Sequence, residues 1–331
     1  KMKIKKILSA LLALSLIIMS VALLGSCGKK NDEKMSVFVL KGPTGVGAVS
    51  LMEKSSAEKP DTKGNYEFTL VSSADEIRAK LLNGEANIAA VPTNLASTLY
   101  SKTDKDIVVL AVNTLGVLYI LDSTGEIKNV KDLSGKTIYS TGQGSNPEYI
   151  LEYVLEKNGV TDAKIEFLSE NDELATKMIS GDIEIALVPQ PVATQITVKN
   201  QNVKIALDMT EEWNNIGDDS ALMMGCVVTT KKYLENHKKE VNTFLDEYKA
   251  SIETVLSDVD AAAALCEKHG IIPAAAIAKK AIPYCNLCFK TGEEMEKALS
   301  GYLKVLFDAN PKSIGGALPE SDFYYKDYEN K

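Results

Sequence analysis

The chain has a single arginine, Arg78, a single tryptophan, Trp213, and only two histidines, His237 and His269. With one guanidinium there is almost no means of building a rigid bidentate clamp for a carboxylate or sulfonate. An anion would be left to lysines and helix starts. The two histidines are far apart in polar surroundings, so they form no metal set with Cys226, Cys266, Cys285 or Cys288. Cys285 and Cys288 fit a C-x-x-C spacing, but no second pair accompanies them. They read better as two small apolar residues on a strand or turn beside Phe289. No paired carboxylate–histidine loop, nucleophile motif or cysteine–histidine cluster is present, so neither catalysis nor a metal or cofactor is expected. The glycine segment at 42–47 is no phosphate cradle. Ala48 follows Gly47 where a P-loop needs Lys, and Ser50 occupies the third place of a dinucleotide glycine motif. With 37 basic against 45 acidic residues and no basic patch, nucleic acid is excluded as a partner.

The N-terminus is where charge and hydropathy are strongly segregated. Lys1, Lys3, Lys5 and Lys6 precede an apolar run from Ile7 to Leu24, which ends in Leu24-Gly25-Ser26-Cys27. A basic start, an apolar stretch and a small-residue exit make a secretory signal. Its end resembles a bacterial lipobox, which implies a signal peptide over 1–26 and Cys27 as the lipid-bearing N-terminus. Two acyl chains suffice to hold such a protein on a membrane. An uncleaved membrane span is the rival reading, but the run is barely bilayer length. Residues 27–35 are polar and charged, as a tether should be. Without the four leading lysines the formal charge moves from -8 to -12. The expected location is extracytoplasmic, anchored to the bacterial cell membrane.

The body contains an internal repeat. Thr44-Gly45-Val46-Gly47 recurs as Thr141-Gly142-Gln143-Gly144, a shift of 97 residues, and Glu76 to Ser97 recurs at the same shift as Glu173 to Thr194. Within the second pair, Gly84, Ile88, Val91 and Pro92 match Gly181, Ile185, Val188 and Pro189. Each copy reads as strands alternating with helices, the pattern of a parallel α/β sheet. In the first copy, strands are expected at 37–40, 66–71 and 87–91, with a helix at 74–82 stopped by Gly84. In the second they are expected at 137–139, 164–168 and 183–188, with a helix at 172–179 stopped by Gly181. Strands at 107–112 and 117–121 carry the chain across from one copy to the other, and a strand at 221–229 carries it back. Helices at 238–256, 261–268, 273–281 and 293–307 complete the first half. Lobe 1 is thus expected at 36–114 and 222–331, and lobe 2 at 115–221.

Gly84-Glu85-Ala86-Asn87-Ile88-Ala89-Ala90-Val91-Pro92, its counterpart at 181–189, the lipobox, the opening Leu40 to Gly47 and the tail Asn310 to Gly316 with Asp322 to Tyr325 carry a resemblance. The chain resembles type II solute-binding lipoproteins of the nitrate/sulfonate/taurine and thiamine-pyrimidine-precursor binding family, over nearly all of the mature sequence. The resemblance implies a two-lobed periplasmic-binding-protein fold of type II, α/β throughout, with two crossover hinge strands. It implies capture of a small molecule for an ABC importer, with permease and ATPase subunits as partners and a monomeric binding subunit. A ligand sensor docking on a membrane receptor is the alternative, and an enzyme in the same cleft is a more distant one.

In open parallel sheets, ligands bind beyond the carboxyl ends of strands, against helix starts. The repeat marks those ends twice: Thr44, Gly45, Thr93 and Asn94 in one copy, Thr141, Gln143, Ser145, Asn146 and Gln190 in the other. Asn113 lies at the first crossover. Trp213 could stack on a flat ligand or pack at a lobe edge. Thr44, Thr93, Asn94, Ser145 and Asn146 could equally cap helices. Uncharged polar ends suit a neutral or weakly charged heterocycle, such as a vitamin precursor, better than a sulfonate or nitrate.

Overall fold

The computed structural model describes residues 34–217 and 220–328. The expected signal peptide, Cys27 and most of the tether lie outside these. In chain order the elements are β1 (Met35–Leu40), α1 (Pro43–Ser56), β2 (Tyr66–Val71), α2 (Ala74–Leu82), β3 (Ile88–Pro92), α3 (Thr93–Lys102), β4 (Ile107–Thr114) and β5 (Leu118–Asp122). They continue with β6 (Thr137–Ser140), α4 (Asn146–Lys157), β7 (Lys164–Phe167), α5 (Asn171–Ser180), β8 (Ile185–Pro189), α6 (Val192–Lys199), β9 (Lys204–Asp208) and α7 (Met209–Ile216). The last are β10 (Gly225–Thr230), α8 (Lys231–Ser257), α9 (Val259–Lys268), α10 (Ala275–Ala281), β11 (Leu287–Lys290) and α11 (Gly292–Ala309).

These strands form two sheets, ordered β2-β1-β3-β10-β4-β11 and β7-β6-β8-β5-β9. In the first, β1 to β4 run one way and β10 and β11 the other; in the second, only β5 opposes the rest. The fourth place in each order is taken by the antiparallel strand with which the chain arrives from the opposite half, β10 or β5. Two parallel α/β sheets are thereby joined by two crossovers.

Local chemistry explains most element ends. Ser73 caps α2, its side chain accepting from the Asp75 N–H at 3.2 Å, and Thr230 caps α8 by accepting from Tyr233 at 3.1 Å. Gly181 ends α5 in the left-handed conformation, at φ 88°. The glycine segment at 42–47 is helical from Pro43 onward. Tertiary packing overrides glycine's poor helix propensity here. A Cβ on Gly45 would stand 2.7 Å from the Leu40 carbonyl oxygen and 3.2 Å from Ile271, and one on Gly47 3.3 Å from Ile252. The small residues bring α1 close to α8, where the Ser251 hydroxyl donates to the Gly47 carbonyl at 2.8 Å. The return strand is also shorter than expected, beginning at Gly225. Helix α8 starts at Lys231, seven residues earlier than expected, and kinks at His237.

Alternation along β1 sends Phe38 to one face of its sheet and Val37 and Val39 to the other. The Val37 face packs on α1, α8 and α9. The Phe38 face belongs to an apolar cluster that runs from Ile77, Leu99, Leu303 and Leu306 into Leu118, Ile120, Ile150 and Val154 of the other half. The exposed edge of β4 is covered by β11 toward its end. Nearer its start the tail takes over, the Tyr325 N–H donating to the Val109 carbonyl at 2.9 Å.

Candidate functional site

The pairing register aligns the strand ends with the crossovers. Gly225 sits opposite both Pro92 and Thr114, and Leu118 opposite Pro189. The Gln190 N–H donates to the Val117 carbonyl at 2.9 Å. The carboxyl ends of β3, β4 and β8 are therefore level with the two connections between halves. Gly42, just before α1, faces the Gln190 carbonyl oxygen, which lies 4.0 Å from where its Cβ would be. The first crossover is wedged: a Cβ on Gly116 would stand 2.2 Å from the Thr210 Oγ1 and 2.8 Å from Leu222. Asn286, at φ 43°, clamps the same segment, accepting from the Leu115 N–H at 3.0 Å and donating its side-chain amide to the Gly116 carbonyl.

Around this level several expected residues come together. The Asn113 amide donates to the Tyr248 hydroxyl at 2.8 Å, which in turn faces the Thr44 carbonyl at 3.5 Å. The Met224 carbonyl accepts from the Thr93 N–H at 3.1 Å and from the Asn146 amide at 3.3 Å, so one hinge oxygen holds both halves. The Thr93 hydroxyl donates to the Met223 carbonyl. The Thr44 hydroxyl turns back to Leu40 at 3.2 Å, and Gly45 is consumed by helix packing. Thr141 donates to the Asn171 side chain at 2.8 Å, and the Ser145 hydroxyl donates to the Gly142 carbonyl at 2.7 Å without capping α4. Gln143 is exposed between Gly142 and Gly144.

Trp213 is placed elsewhere. It is fully buried, its ring 4.7 Å from Tyr153 and 5.6 Å from Tyr302 between centroids, and its indole N–H donates to Ser220 at 2.9 Å. The reading of Trp213 as a ligand-stacking residue is therefore corrected: its surface is used within the hinge core, where Tyr302 also donates to the Asn146 side chain at 3.3 Å. Asn94 likewise turns its amide nitrogen away, to the Ser313 carbonyl at 3.4 Å.

Buried polar groups nearly always find partners, so the exceptions are informative. Among the described residues three buried side-chain atoms have none: Asn94 Oδ1, Gln190 Nε2 and Thr210 Oγ1. Each belongs to a residue one or two places beyond the carboxyl end of a strand, β3, β8 and β9 respectively. They supply an acceptor, a donor and a hydroxyl. Thr210 was missed because the short helix α7 is not apparent in the sequence. The signal was its place two residues after an apolar strand, the same as that of Asn94.

The partners of these residues are carbonyls, hydroxyls, amides and, at the Thr210 N–H, the Asp208 carboxylate, none of them basic. The sole arginine lies on α2, paired with Asp75 at 3.2 Å. At the start of α4 the Gly144 N–H already donates to the Glu148 carboxylate. Burial, then the Glu148 charge, raises the Glu152 carboxyl above the usual range. The four described cysteines are free thiols. Burial pushes Cys285 and Cys288 up to about 12, which leaves them unreactive as a redox pair. Among the described residues no group of histidine, cysteine and carboxylate side chains could hold a metal ion.

Two mixed sheets joined by two crossovers, with buried polar atoms left unpartnered at their strand ends, define a two-lobed α/β protein of the periplasmic-binding-protein fold. The chain belongs to the NMT1/THI5-like family, whose model matches residues 69–262. Its fold is similar to that of an ABC transporter protein from Parabacteroides distasonis, at 23% identity and TM-score 0.76, covering 89% of this chain and 99% of that one. It is also similar to the periplasmic aliphatic sulphonate binding protein of Escherichia coli, at 16% identity and TM-score 0.68, covering 90% and 95%. A Candida albicans protein described as having the generic periplasmic binding protein fold matches at 16% identity and TM-score 0.57, covering 88% and 92%. No curated protein matches in sequence.

Proposed function

We propose that this chain is the extracytoplasmic solute-binding component of an ABC importer, capturing a small organic molecule between its lobes and delivering it to a permease driven by an ATPase. The carrying observation is the pair of unpartnered buried atoms Asn94 Oδ1 and Gln190 Nε2, both at strand ends level with the crossovers. A ligand that pairs with them recovers the cost of leaving them dry, which is about 1–3 kcal/mol each. The lobes that close on it are residues 36–114 with 222–331, and 115–221. Thr44, Thr93, Asn113, Thr141, Gln143, Ser145 and Asn146 surround the same level. The protein acts as a monomer without catalysis or cofactor, held at the membrane by lipid on Cys27. An uncharged heterocycle suits the non-basic lining better than taurine or nitrate does.

The test is native mass spectrometry of the gently purified chain after exposure to a low-molecular-mass filtrate of yeast extract. A single retained small molecule is expected, with a thermal shift on its re-addition. Ligand at a hundred times its dissociation constant stabilises the folded form by about 2.7 kcal/mol. Retention of nothing from the filtrate, with no thermal shift from heterocycles, taurine or nitrate, overturns the reading. A shift from taurine or nitrate alone reverses the order of ligand classes.

A further inference from the structure

Gln190 differs from the other unpartnered residues in that its amide cannot turn round. Its Oε1 accepts from the Thr194 N–H at 3.3 Å and from the Thr194 hydroxyl at 2.8 Å. A backbone N–H only donates, so the atom facing it must be the oxygen, and the nitrogen must point elsewhere. Nε2 then carries N–H donors with no partner, on a residue only 1% exposed. The residue directly follows β8, its own carbonyl faces Gly42 of the other half, and its N–H is tied to the first crossover at Val117. A buried donor of fixed direction therefore stands where the two halves meet.

What it can receive is limited by its surroundings. A carboxylate or sulfonate enclosed here would lose its hydration, and the partners of Asn94, Gln190 and Thr210 are amides, hydroxyls, carbonyls and the Asp208 carboxylate, none of which offsets a negative charge as a cation would. At the start of α4 the Gly144 N–H is already held by Glu148, and a further negative charge beside that carboxylate would be repelled. A neutral acceptor meets neither cost.

We infer that Gln190 is the specificity-determining residue of the second half. It donates from Nε2 to an uncharged acceptor, a carbonyl oxygen or an aromatic ring nitrogen, and the site passes over anions. The inference rests on the solute-binding reading above.

The test uses the full chain, the same yeast-extract filtrate and two variants. Gln190→Glu keeps an oxygen toward Thr194 but replaces the donor with an acceptor, and Gln190→Met offers no donor. Both should lose the retained mass, with affinity for the isolated molecule reduced about ten-fold or more. Empty Gln190→Glu buries a carboxylate and should melt below the parent, so retention is compared at a temperature where both are folded. A crystal structure of the parent with the captured molecule, which depends on no variant, should place a neutral acceptor within hydrogen-bond distance of Nε2. Undiminished retention by Gln190→Glu, a captured molecule that is an anion, or a complex in which Nε2 still has no partner each overturns the inference while leaving the solute-binding reading intact. Failure of the parent to retain anything overturns both.

Discussion

Two residues separate β1 from α1 in the first half, whereas five separate β6 from α4 in the second. A Thr-Gly-x-Gly sequence follows the strand in both halves, yet the chain uses it in opposite ways. In the first half it lies inside the helix, where Gly45 and Gly47 let α1 approach Leu40, Ile271 and Ile252. In the second it forms an open turn, with Gly142 and Gly144 at positive φ and Gln143 exposed between them. The helix starts correspond through Pro43 and Pro147, each in a first turn, so the shift there is 104 residues, not 97. One half thus has a packed wall at this level, and the other an exposed lip. The hinge between them is part of the core, since the apolar cluster continues through Trp213, Leu222 and Met223.

The largest effect should come from that hinge. Trp213→Ala removes a fully buried ring between Tyr153 and Tyr302 and should cost about 3–5 kcal/mol of stability. A urea melt of the empty protein measures this. Unchanged stability with lost ligand retention would return Trp213 to the site and break the picture of a shared hinge core. Gly45→Ala should come next, at about 1–3 kcal/mol, because the new methyl meets a backbone oxygen at 2.7 Å. A melting temperature equal to the parent's would mean that the first-half wall is not packed as described.

The second half has its own anchor in Asp122, which ends β5. Its buried carboxylate accepts from the Thr124 N–H and hydroxyl, both at 2.7 Å, and from the Ile127 N–H at 3.0 Å. Burial alone would raise its pKa, but the hydrogen bonds, led by that from Ile127, hold it below the usual carboxylate value. A carboxyl with a lowered folded pKa contributes stability above its unfolded pKa, about 3.9, and loses that contribution as pH falls through the folded value. Asp122→Asn should therefore cost about 1 kcal/mol at neutral pH and progressively less below about pH 4. Urea midpoints at both pH values check this, and an equal cost at each would remove the carboxylate's charge from the explanation.

The parts that could be read in the sequence are those with local signals. The helix, glycine stop, apolar strand and proline of α2–β3 recur as α5–β8 at a shift of 97, with β3 at 88–92 and β8 at 185–189. Gly84 and Gly181 both take the left-handed conformation that such a stop requires. The glycines of α1 misled because helix propensity is weaker than packing on α8, a partner some two hundred residues away. Thr210 and the burial of Trp213 were hidden for the same reason: both are decided by Gly116, Leu222 and Tyr302, none of them a sequence neighbour.

The smallest structural effect, and the one that tests the exposed lip most directly, is expected at Gln143. Its side chain is exposed, and its neighbours hold the turn without it: Ser145 returns to Gly142, and the Gly144 N–H goes to Glu148. Removing it should leave the empty protein's stability within about 0.5 kcal/mol. On the solute-binding proposal its contribution comes only on closure, when the lip meets a ligand held by Gln190. A contact made only in the closed state supplies the differential affinity that drives closure. Gln143→Ala should then weaken binding of the molecule captured from the filtrate about ten-fold, with the loss in dissociation rate. Calorimetry with stopped-flow dissociation separates the outcomes. Intact affinity with intact stability would show that the lip takes no part in closure, and a fall in empty-protein stability would show that it is as firmly packed as the wall opposite.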